Sequence, residues 1–255
     1  MNKTAWTIVK PWRGTAVEKV FGSLEQIFKI NGKQITKDNL SDVILYETNN
    51  IRFYIKRYIM AGKGLRQYIG RSRIRAEWEN LLFFQKTGIV SVKVVAYGEE
   101  HRLGMFKRGA LITQEQTNTS DLAKLVRHKS PILNDSQWFN AVLDQVASIA
   151  KILHEHCFIH TDFKWRNILI TMAKKPQVLL IDCPAGFRWP ENFLFRRIVE
   201  RGIIKDLACL DKVAKYALRR SQRMYFYHRY ANTTKLSSKN KQQIRRVLCF
   251  FEGRE

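Results

Sequence analysis

One stretch limits what this chain can fold into more than any other. Residues 158–170, FIHTDFKWRNILI, place polar side chains between two short apolar runs. The polar side chains are His160, Asp162, Lys164, Arg166 and Asn167. The preceding segment, NDSQWFNAVLDQVASIAKILHEH, predicts a helix, because a capping sequence is followed by apolar residues at helical spacing. A helix that leads directly into so polar a segment predicts either a charged turn or the centre of a chemical site.

The first half of the chain is rich in predicted strands. ILYETNNIRFYIKRYIM predicts a β-hairpin that turns at Asn49-Asn50, with Lys56 near the end of its second strand. After the basic connection GKGLRQYIGRS, the segment SRIRAEWENLLFFQKTG predicts a helix that ends at Gly88. This helix carries Glu77 and Glu79. Further strands are predicted in IVSVKVVAYGEE and GALITQEQ.

The second half reads differently. NILIT and PQVLLIDCPAG predict two strands, the second of which ends at Asp182, and RGIIKDLACLDKVAKYAL predicts a late helix. No linker rich in Pro, Gly or Ser separates the two halves. The order therefore predicts an α+β fold, with a β-rich first part holding one helix and a mainly helical second part holding a small β pair.

Length and composition predict the class of protein. A chain of 255 residues with 45% hydrophobic content suits one large domain or two small lobes. No run of about 18 apolar residues is present, and the N-terminal MNKTAWTIVKPWRG does not read as a secretory signal. The four cysteines are widely scattered, which argues against a zinc site or a disulfide framework. We therefore expect a cytoplasmic protein.

The net charge of +23 predicts an anionic partner. From Phe195 to Glu255 the chain has 16 Lys or Arg against 5 Asp or Glu, interleaved with aromatic residues as in RRSQRMYFYHRYANTTK. Nucleic acid, an anionic membrane and a phosphorylated glycolipid all fit this charge, and a solvated basic surface is the plainest alternative.

A phosphoryl-transfer site would use this set of polar residues. Its transition state spreads negative charge, so catalysis needs cations and oxygen ligands for hard metal ions. Asp182 at a strand end and Asn167 can supply such oxygens, while Asp162 faces the acceptor hydroxyl. Lys164 is close enough in the chain to steady the γ-phosphate. An ordinary turn rich in Asp and Asn is the structural alternative.

The residues carry a family resemblance. HTDFKWRN at 160–167 resembles the protein-kinase catalytic loop H-R-D-L-K-x-x-N, and LLIDCPAG resembles the strand that ends in D-F-G. FYIKRY resembles the strand with the nucleotide-binding lysine, which matches Lys56, and the resemblance favours Glu77 as its ion-pair partner, with Glu79 as the alternative. More narrowly, residues 40 to 230 resemble the lipopolysaccharide kinase family, the Kdo/heptose kinases of Gram-negative bacteria, through FYIKRYIMAGKGLR, RSRIRAEWENLLFFQKTGI, the loop, IDCPAG, RRIVERGIIKDLACL and RMYFYHRYA.

The resemblance implies a bilobal protein-kinase-like fold. Residues 1–116 would form a nucleotide-binding N-lobe with one αC-type helix and an N-terminal extension, and residues 117–255 a shortened C-lobe. ATP and Mg²⁺ are implied as cofactors, with Lys56 and Glu77 at the nucleotide and Asn167 and Asp182 as metal ligands. The catalytic residues would be Asp162 and Lys164. In all, the resemblance assigns roles to six residues: Lys56, Glu77, Asp162, Lys164, Asn167 and Asp182.

The implied activity is transfer of phosphate to a sugar hydroxyl of the lipopolysaccharide inner core, and heptose is the expected sugar. The expected partners are the inner-core glycolipid and the anionic surface of the inner membrane, at whose cytoplasmic face the enzyme would be peripheral. No nucleic acid is expected. A Kdo kinase of the same fold and an atypical Ser/Thr protein kinase are the nearest alternatives, followed by a nucleic-acid-binding protein and an inactive pseudokinase.

Three departures from protein kinases favour a small or lipid-linked acceptor. No G-x-G-x-x-G precedes Lys56, and Thr161 stands where protein kinases often have an arginine that pairs with a phosphorylated activation loop. No A-P-E follows Asp182. The basic tail is then expected to hold an anionic sugar or lipid surface through Arg219, Arg220, Arg223 and Arg229. For two further residues the alternatives remain local: His160 is expected to be packed, and Asp206 is either a brace for the loop or a surface acid.

Overall fold

The computed structural model describes residues 2–62 and 70–253. The chain forms two compact units, one of Met1–Lys86 with Ser91–Gln116 and the other of Thr87–Val90 with Thr117–Glu255. Most of the predicted basic connection GKGLRQYIGRS, residues 63–69, lies outside the described residues.

The first unit is built on a six-stranded antiparallel sheet. Its strands are β1 (Asn2–Ile8), β2 (Lys33–Lys37), β3 (Ser41–Thr48), β4 (Ile51–Tyr58), β5 (Val94–Arg102) and β6 (Met105–Gln114). Their order across the sheet is β1-β5-β6-β4-β3-β2. In the described part of this unit, three α-helices accompany the sheet: α1 (Ala16–Phe21), α2 (Leu24–Lys29) and α3 (Arg73–Lys86).

The predicted hairpin and helix of this unit are confirmed. β3 and β4 pair in register around Asn49 and Asn50, which both have positive φ values, 52° and 56°, as a tight two-residue hairpin turn requires. Helix α3 ends before Gly88, whose φ of 76° is one that glycine adopts without strain. The local signals therefore position β4 and α3, which carry Lys56 and Glu77.

The N-terminal extension contributes elements that the sequence patterns did not predict. Strand β1 pairs with β5 along its whole length, about ninety residues further along the chain. Helices α1 and α2 bury Phe21, Leu24 and Ile27 in one cluster with Phe53 and Ile55 of β4. Because side chains alternate along a strand, Lys56 points to the opposite face of the sheet from this cluster.

The second unit is mainly helical. Its helices are α4 (Leu122–Arg127), α5 (Ser136–Glu155), α6 (Arg196–Ala217), α7 (Arg220–Ala231) and α8 (Ser238–Leu248). Its strands are β7 (Thr119–Asp121), β8 (Phe158–Ile159), β9 (Ile168–Thr171), β10 (Val178–Leu180) and β11 (Phe187–Arg188). They form a three-stranded sheet of order β10-β9-β7 and a separate pair, β11-β8.

Helix α5 holds the segment that follows it in place. Asp135 caps its first turn by accepting hydrogen bonds from the backbone of Gln137 and Trp138, both 3.0 Å long. Its apolar face is buried, as its spacing predicts, including Val142, Val146, Ile149 and Leu153. The helix ends at Glu155, so the chain enters β8 and then the polar loop from a fixed point. Within the described part of the chain, no helix has the length and apolar content needed to cross a bilayer.

Candidate active site

The first unit carries a lysine fixed by a glutamate. The Lys56 Nζ lies 3.0 Å from Oε1 and 2.9 Å from Oε2 of Glu77. The glutamate side chain is only 6% exposed, and the Tyr58 hydroxyl donates a 3.4 Å hydrogen bond to its Oε2. The ion pair thereby restricts a lysine with four rotatable bonds to one position on the face of the sheet against which α3 packs.

Glu79, the alternative partner, forms different contacts. Its carboxylate accepts hydrogen bonds from Arg71 at 2.9 Å and from Arg75 at 2.8 Å. Burial alone would raise the pKa of Glu79, but the two guanidinium groups outweigh burial and hold it below its usual value. Of the two candidate glutamates, Glu77 is therefore the one that pairs with Lys56.

In the second unit, three of the predicted residues meet at the carboxylate of Asp162. The Lys164 Nζ lies 2.5 Å from its Oδ1. The Asn167 side-chain amide donates to the Asp162 backbone carbonyl at 2.8 Å and to its Oδ2 at 3.2 Å. Arg166 lies 3.3 Å from the same Oδ2. The loop therefore folds back on its own aspartate.

These contacts decide the charge of Asp162. Partial burial acts to raise its pKa, but the hydrogen bonds and charge of Lys164, then those of Arg166 and Asn167, outweigh burial and lower it. The carboxylate is consequently anionic at neutral pH and surrounded by donors.

Asp206 braces the loop from helix α6. Its carboxylate is fully buried and accepts hydrogen bonds from the backbone N–H groups of His160 and Thr161, both 2.7 Å long. The alternative of a surface acid is therefore wrong for this residue. Thr161 has a φ of 65°, a costly conformation for a β-branched residue, and the two bonds hold it there.

A second layer of polar residues supports Asp206. The Nε2 of His154 lies 3.5 Å from its Oδ2, and the Nδ1 of His154 lies 2.9 Å from the hydroxyl of Tyr230 on α7. His154 and Tyr230 had no pattern in the sequence that pointed to this role. The loop is thus tied, through Asp206, to both α5 and α7.

His160 is packed, as expected. The side chain is fully buried and stacks face to face on Phe163, with ring centroids 5.1 Å apart and planes 9° apart. Burial lowers the pKa of His160, although the carboxylates of Asp206, Asp162 and Asp182 act in the opposite direction. The neutral imidazole therefore has a packing role: it fills the space beneath the loop by stacking on Phe163.

The next two strands bring Asp182 to the loop. β9 and β10 pair antiparallel, and beyond the last pair the backbone N–H of Ile181 donates to the Asn167 carbonyl at 3.1 Å. Asp182 follows at once, with a φ of 54°. The strand itself ends at Leu180, two residues earlier than the sequence pattern predicts, because the chain turns into this left-handed conformation at Asp182.

The side-chain oxygens of Asn167 and Asp182 are ligands that suit a hard metal ion. Asn167 directs its Nδ2 at Asp162, so its Oδ1 points away from that residue. Amide and carboxylate oxygens from Asn167 and Asp182 are ligands that Mg²⁺ accepts. Among residues 2–62 and 70–253, no group of three His, Cys, Asp or Glu side chains is arranged to hold a metal. An ion here would complete its coordination with water and phosphate oxygens, as Mg²⁺ commonly does.

Asp38 holds the turn between β2 and β3, in the part of the chain before Lys56 where the sequence has no G-x-G-x-x-G. Asp38 accepts hydrogen bonds on Oδ1 from the backbone N–H of Leu40 at 2.7 Å and of Ser41 at 2.8 Å. The backbone bond to Leu40 is the main cause that lowers the pKa of Asp38. An aspartate that bonds the backbone two residues later is a recognised turn signal, but the sequence reasoning did not use it.

The four tail arginines do not form one open basic surface. Arg223 makes a bidentate pair with Asp211, at 2.7 Å and 2.6 Å, and both side chains are mostly buried. Arg229 lies 2.7 Å from Asp144, which also accepts a 2.8 Å hydrogen bond from Tyr225. At least these two arginines hold the helices of the second unit together.

Comparisons with known proteins agree with this architecture. The chain aligns with a solved structure described as WaaP in complex with acyl carrier protein, at 18% sequence identity, with a TM-score of 0.73, over 97% of this chain and 96% of the other. This likeness confirms the predicted α+β, protein-kinase-like fold. No curated protein sequence matches the chain. The profile of the lipopolysaccharide kinase (Kdo/WaaP) family matches residues 46–246, which include all six predicted site residues. The chain therefore belongs to the lipopolysaccharide kinase (Kdo/WaaP) family and is a phosphotransferase.

Proposed function

We propose that this protein transfers the γ-phosphoryl group of ATP to a sugar hydroxyl of the lipopolysaccharide inner core, with heptose as the sugar. The observation that carries the proposal is the geometry of Asp162. Its carboxylate is anionic, is contacted by Lys164 and Asn167, and stands on a loop braced by Asp206. In a family of lipopolysaccharide kinases, such a group is suited to receive an acceptor hydroxyl.

Asp162 would orient the acceptor and take its proton. As the sugar oxygen bonds to the γ-phosphorus and the bond to the β-phosphate oxygen breaks, the hydroxyl proton passes to the carboxylate. Lys164, which neutralises Asp162 in the structure, would move toward the transferred group, whose charge is greatest in the transition state. The loop would supply positioning and charge, which is most of what phosphoryl transfer requires.

The residues of the first unit would bind the nucleotide. Lys56, fixed by Glu77, would contact the α- and β-phosphates, as the matching lysine does in protein kinases. The backbone of the Asp38 turn would cover the phosphates in place of a glycine-rich loop. Asn167 and Asp182 would hold Mg²⁺, which when bound supplies positive charge to the phosphate oxygens.

The acceptor would be presented at the anionic surface of the inner membrane, from the cytoplasmic side. Thr161 takes the position of the arginine that senses a phosphorylated loop in many protein kinases, so no such switch is expected. The high net charge is suited to a phosphorylated glycolipid on an anionic bilayer.

The test is transfer of labelled phosphate from ATP to purified core glycolipid. Asp162→Ala and Asp182→Ala should each reduce transfer by about a hundredfold or more, because a reacting or metal-holding group is lost. Asp211→Asn, which removes a carboxylate away from the loop, is the matched control and should retain activity. Unchanged transfer by both alanine variants would refute the proposal.

The sugar needs a separate experiment. Core oligosaccharides that contain Kdo alone, or Kdo with heptose, should be phosphorylated in the second case and not in the first if heptose is the acceptor. Phosphorylation of the oligosaccharide that contains Kdo alone would identify a Kdo kinase. Label incorporated into a protein mixture, with neither oligosaccharide modified, would favour a Ser/Thr protein kinase instead.

A further inference from the structure

We propose that residues 187–201, FRWPENFLFRRIVER, form a surface that inserts apolar side chains into the interface of an anionic lipid bilayer. We call this stretch the interfacial segment. The inference rests on the proposed function in one respect, that the acceptor is a membrane glycolipid. It adds the part of the molecule that would contact the membrane.

The interfacial segment exposes large apolar side chains next to each other. Phe193 is 83% exposed, Leu194 67% and Ile198 45%. Single exposed apolar residues are normal on a soluble protein, but a cluster of large ones usually marks an interaction site. Phe193 and Leu194 lie in the turn that leads into α6, and we call these two exposed residues the tip.

Arginines surround this tip. Arg197 and Arg201 are exposed and lie one helical turn apart on α6, and Ile198 is the neighbour of Arg201 at i, i+3. Arg196 is 75% exposed, although it contacts Glu200 at 3.3 Å. Apolar side chains between arginines are typical of helices that lie at a bilayer surface, where the rings and alkyl groups enter and the guanidinium groups meet lipid phosphates.

The interfacial segment is held rigidly at its start. β11 pairs with β8, matching Phe187 with Ile159, and the Trp189 backbone N–H donates to the Cys157 carbonyl at 2.9 Å. Further along, the ring of Trp189 packs on Phe195, with centroids 5.3 Å apart. The residues on both sides of the exposed tip are therefore held by these contacts.

The same contacts connect the tip to the catalytic loop. Ile159, the last residue of β8, immediately precedes His160. On α6, Gly202 lies so close to Ile159 that an added Cβ would be 2.6 Å from its side chain. The strand that leads into the loop thus contacts the first residue of the interfacial segment and the glycine that directly follows its last residue. A tip seated in the bilayer would hold Asp162 at a set height above the surface, where a lipid-linked sugar stands.

The chemistry of the surface favours lipid over other anionic partners. Leu194 and Ile198 are aliphatic, so they cannot stack on bases as a single-stranded nucleic acid would require. Between 187 and 201 the acidic residues are Glu191 and Glu200, against four arginines. Two of the four arginines predicted to bind lipid in the tail, Arg223 and Arg229, are instead bound to aspartates. An acidic protein partner is the competing occupant and is tested below.

The experiment measures vesicle binding and catalysis with the full-length protein. The fraction of protein that sediments with anionic vesicles of phosphatidylethanolamine and phosphatidylglycerol is compared with the fraction that sediments with neutral vesicles of phosphatidylcholine. Phe193→Ser/Leu194→Ser should reduce partition to the anionic vesicles by about 30-fold or more, because two large apolar groups no longer enter the interface. Arg197→Gln/Arg201→Gln should lose about fivefold per arginine on anionic vesicles and almost nothing on neutral ones.

A matched control separates the tip from hydrophobicity in general. Leu103 lies in the β5–β6 turn of the first unit and is 74% exposed. The variant Leu103→Ser should bind vesicles like the wild type. Phosphate transfer is then measured on glycolipid in vesicles and on the same acceptor after complete deacylation, which is water-soluble. The Phe193→Ser/Leu194→Ser variant should lose rate on the first acceptor about as much as it loses binding, and keep the rate on the second.

Any of the following results would overturn the inference: vesicle binding of the tip variant equal to that of the wild type, equal loss of vesicle binding in the tip variant and in Leu103→Ser, or equal loss of transfer rate on both acceptors by the tip variant. Crosslinking of the tip to an acidic protein, together with a tip variant that binds vesicles like the wild type, would also overturn it. Failure of the proposed function looks different. In that case the wild type phosphorylates neither acceptor, while the tip still determines vesicle binding.

Discussion

The Asp206 carboxylate offers the sharpest test of how the catalytic loop is held, through Asp206→Ala. This carboxylate is fully buried and accepts two 2.7 Å hydrogen bonds from the backbone of His160 and Thr161. A hydrogen bond to a charged group contributes about 1.5–3 kcal/mol, so the loss of two costs about 3–6 kcal/mol. Thr161 can then leave its left-handed conformation, which returns about 1–3 kcal/mol. From the middle of each range, the expected net loss in the free energy of unfolding is about 2.5 kcal/mol.

Asp206→Asn should fall between the alanine variant and the wild type, because the amide keeps one acceptor oxygen. Asp211→Asn, five residues further along α6, is the control; it weakens a mostly buried pair with Arg223, so it should cost about 1–2 kcal/mol but leave the exchange of the His160 and Thr161 amides unchanged.

The assays are urea unfolding followed by tryptophan fluorescence, hydrogen exchange of the peptide that spans 158–167, and steady-state kinetics. In Asp206→Ala the amides of His160 and Thr161 should exchange faster, and kcat should fall by about a hundredfold while KM for ATP changes less than about threefold. Retained amide protection, with unfolding free energy within about 0.5 kcal/mol of wild type, would refute the reasoning.

Three further predictions concern other parts of the site. Glu77→Gln should raise KM for ATP by about tenfold, because the amide no longer neutralises Lys56; an unchanged KM in initial-rate measurements would contradict the pairing role. Lys164→Met should raise the pKa of Asp162, which is now lowered, so the acid limb of the kcat/KM profile should move to higher pH, whereas a shift to lower pH would contradict the geometry. By the same sign, the stability that this depressed pKa contributes is present above the unfolded value of about 3.9 and is lost as pH falls through the folded value, and Lys164→Met should reduce it in acid unfolding. Gly202→Ala should lower the unfolding free energy by about 1–2 kcal/mol, since overpacking against β8 exceeds the gain in helix propensity; an increase in the melting temperature would show that the contact relaxes.

Local sequence signals predicted much of the fold. Asn49-Asn50 predicts the hairpin because these residues tolerate positive φ, and Gly88 predicts the end of α3 for a similar reason. The capping residue Asp135 and the apolar spacing after it predict α5. Each of these signals acts over a few residues, so the sequence is enough to find it.

The extent of the first unit could not be predicted in this way. β1 is short and exposed in places, and it is a strand because β5 offers it an edge about ninety residues away. Helices α1 and α2, of six residues each, are too short to be stable alone and depend on burying Phe21 and Leu24 against the sheet.

By itself, the sequence determined which chemical groups occur in which order: a strand lysine, a helix glutamate, the 160–167 loop and Asp182. It did so because that order is carried by residue types and by short-range spacing. The tertiary structure decided how those groups are used. It selected Glu77 over Glu79, buried Asp206 under a loop 45 residues distant, and paired Arg223 and Arg229 with aspartates from other helices. It also left Phe193 and Leu194 exposed. Burial and pairing depend on which distant segments pack together, and no local pattern in a chain records that.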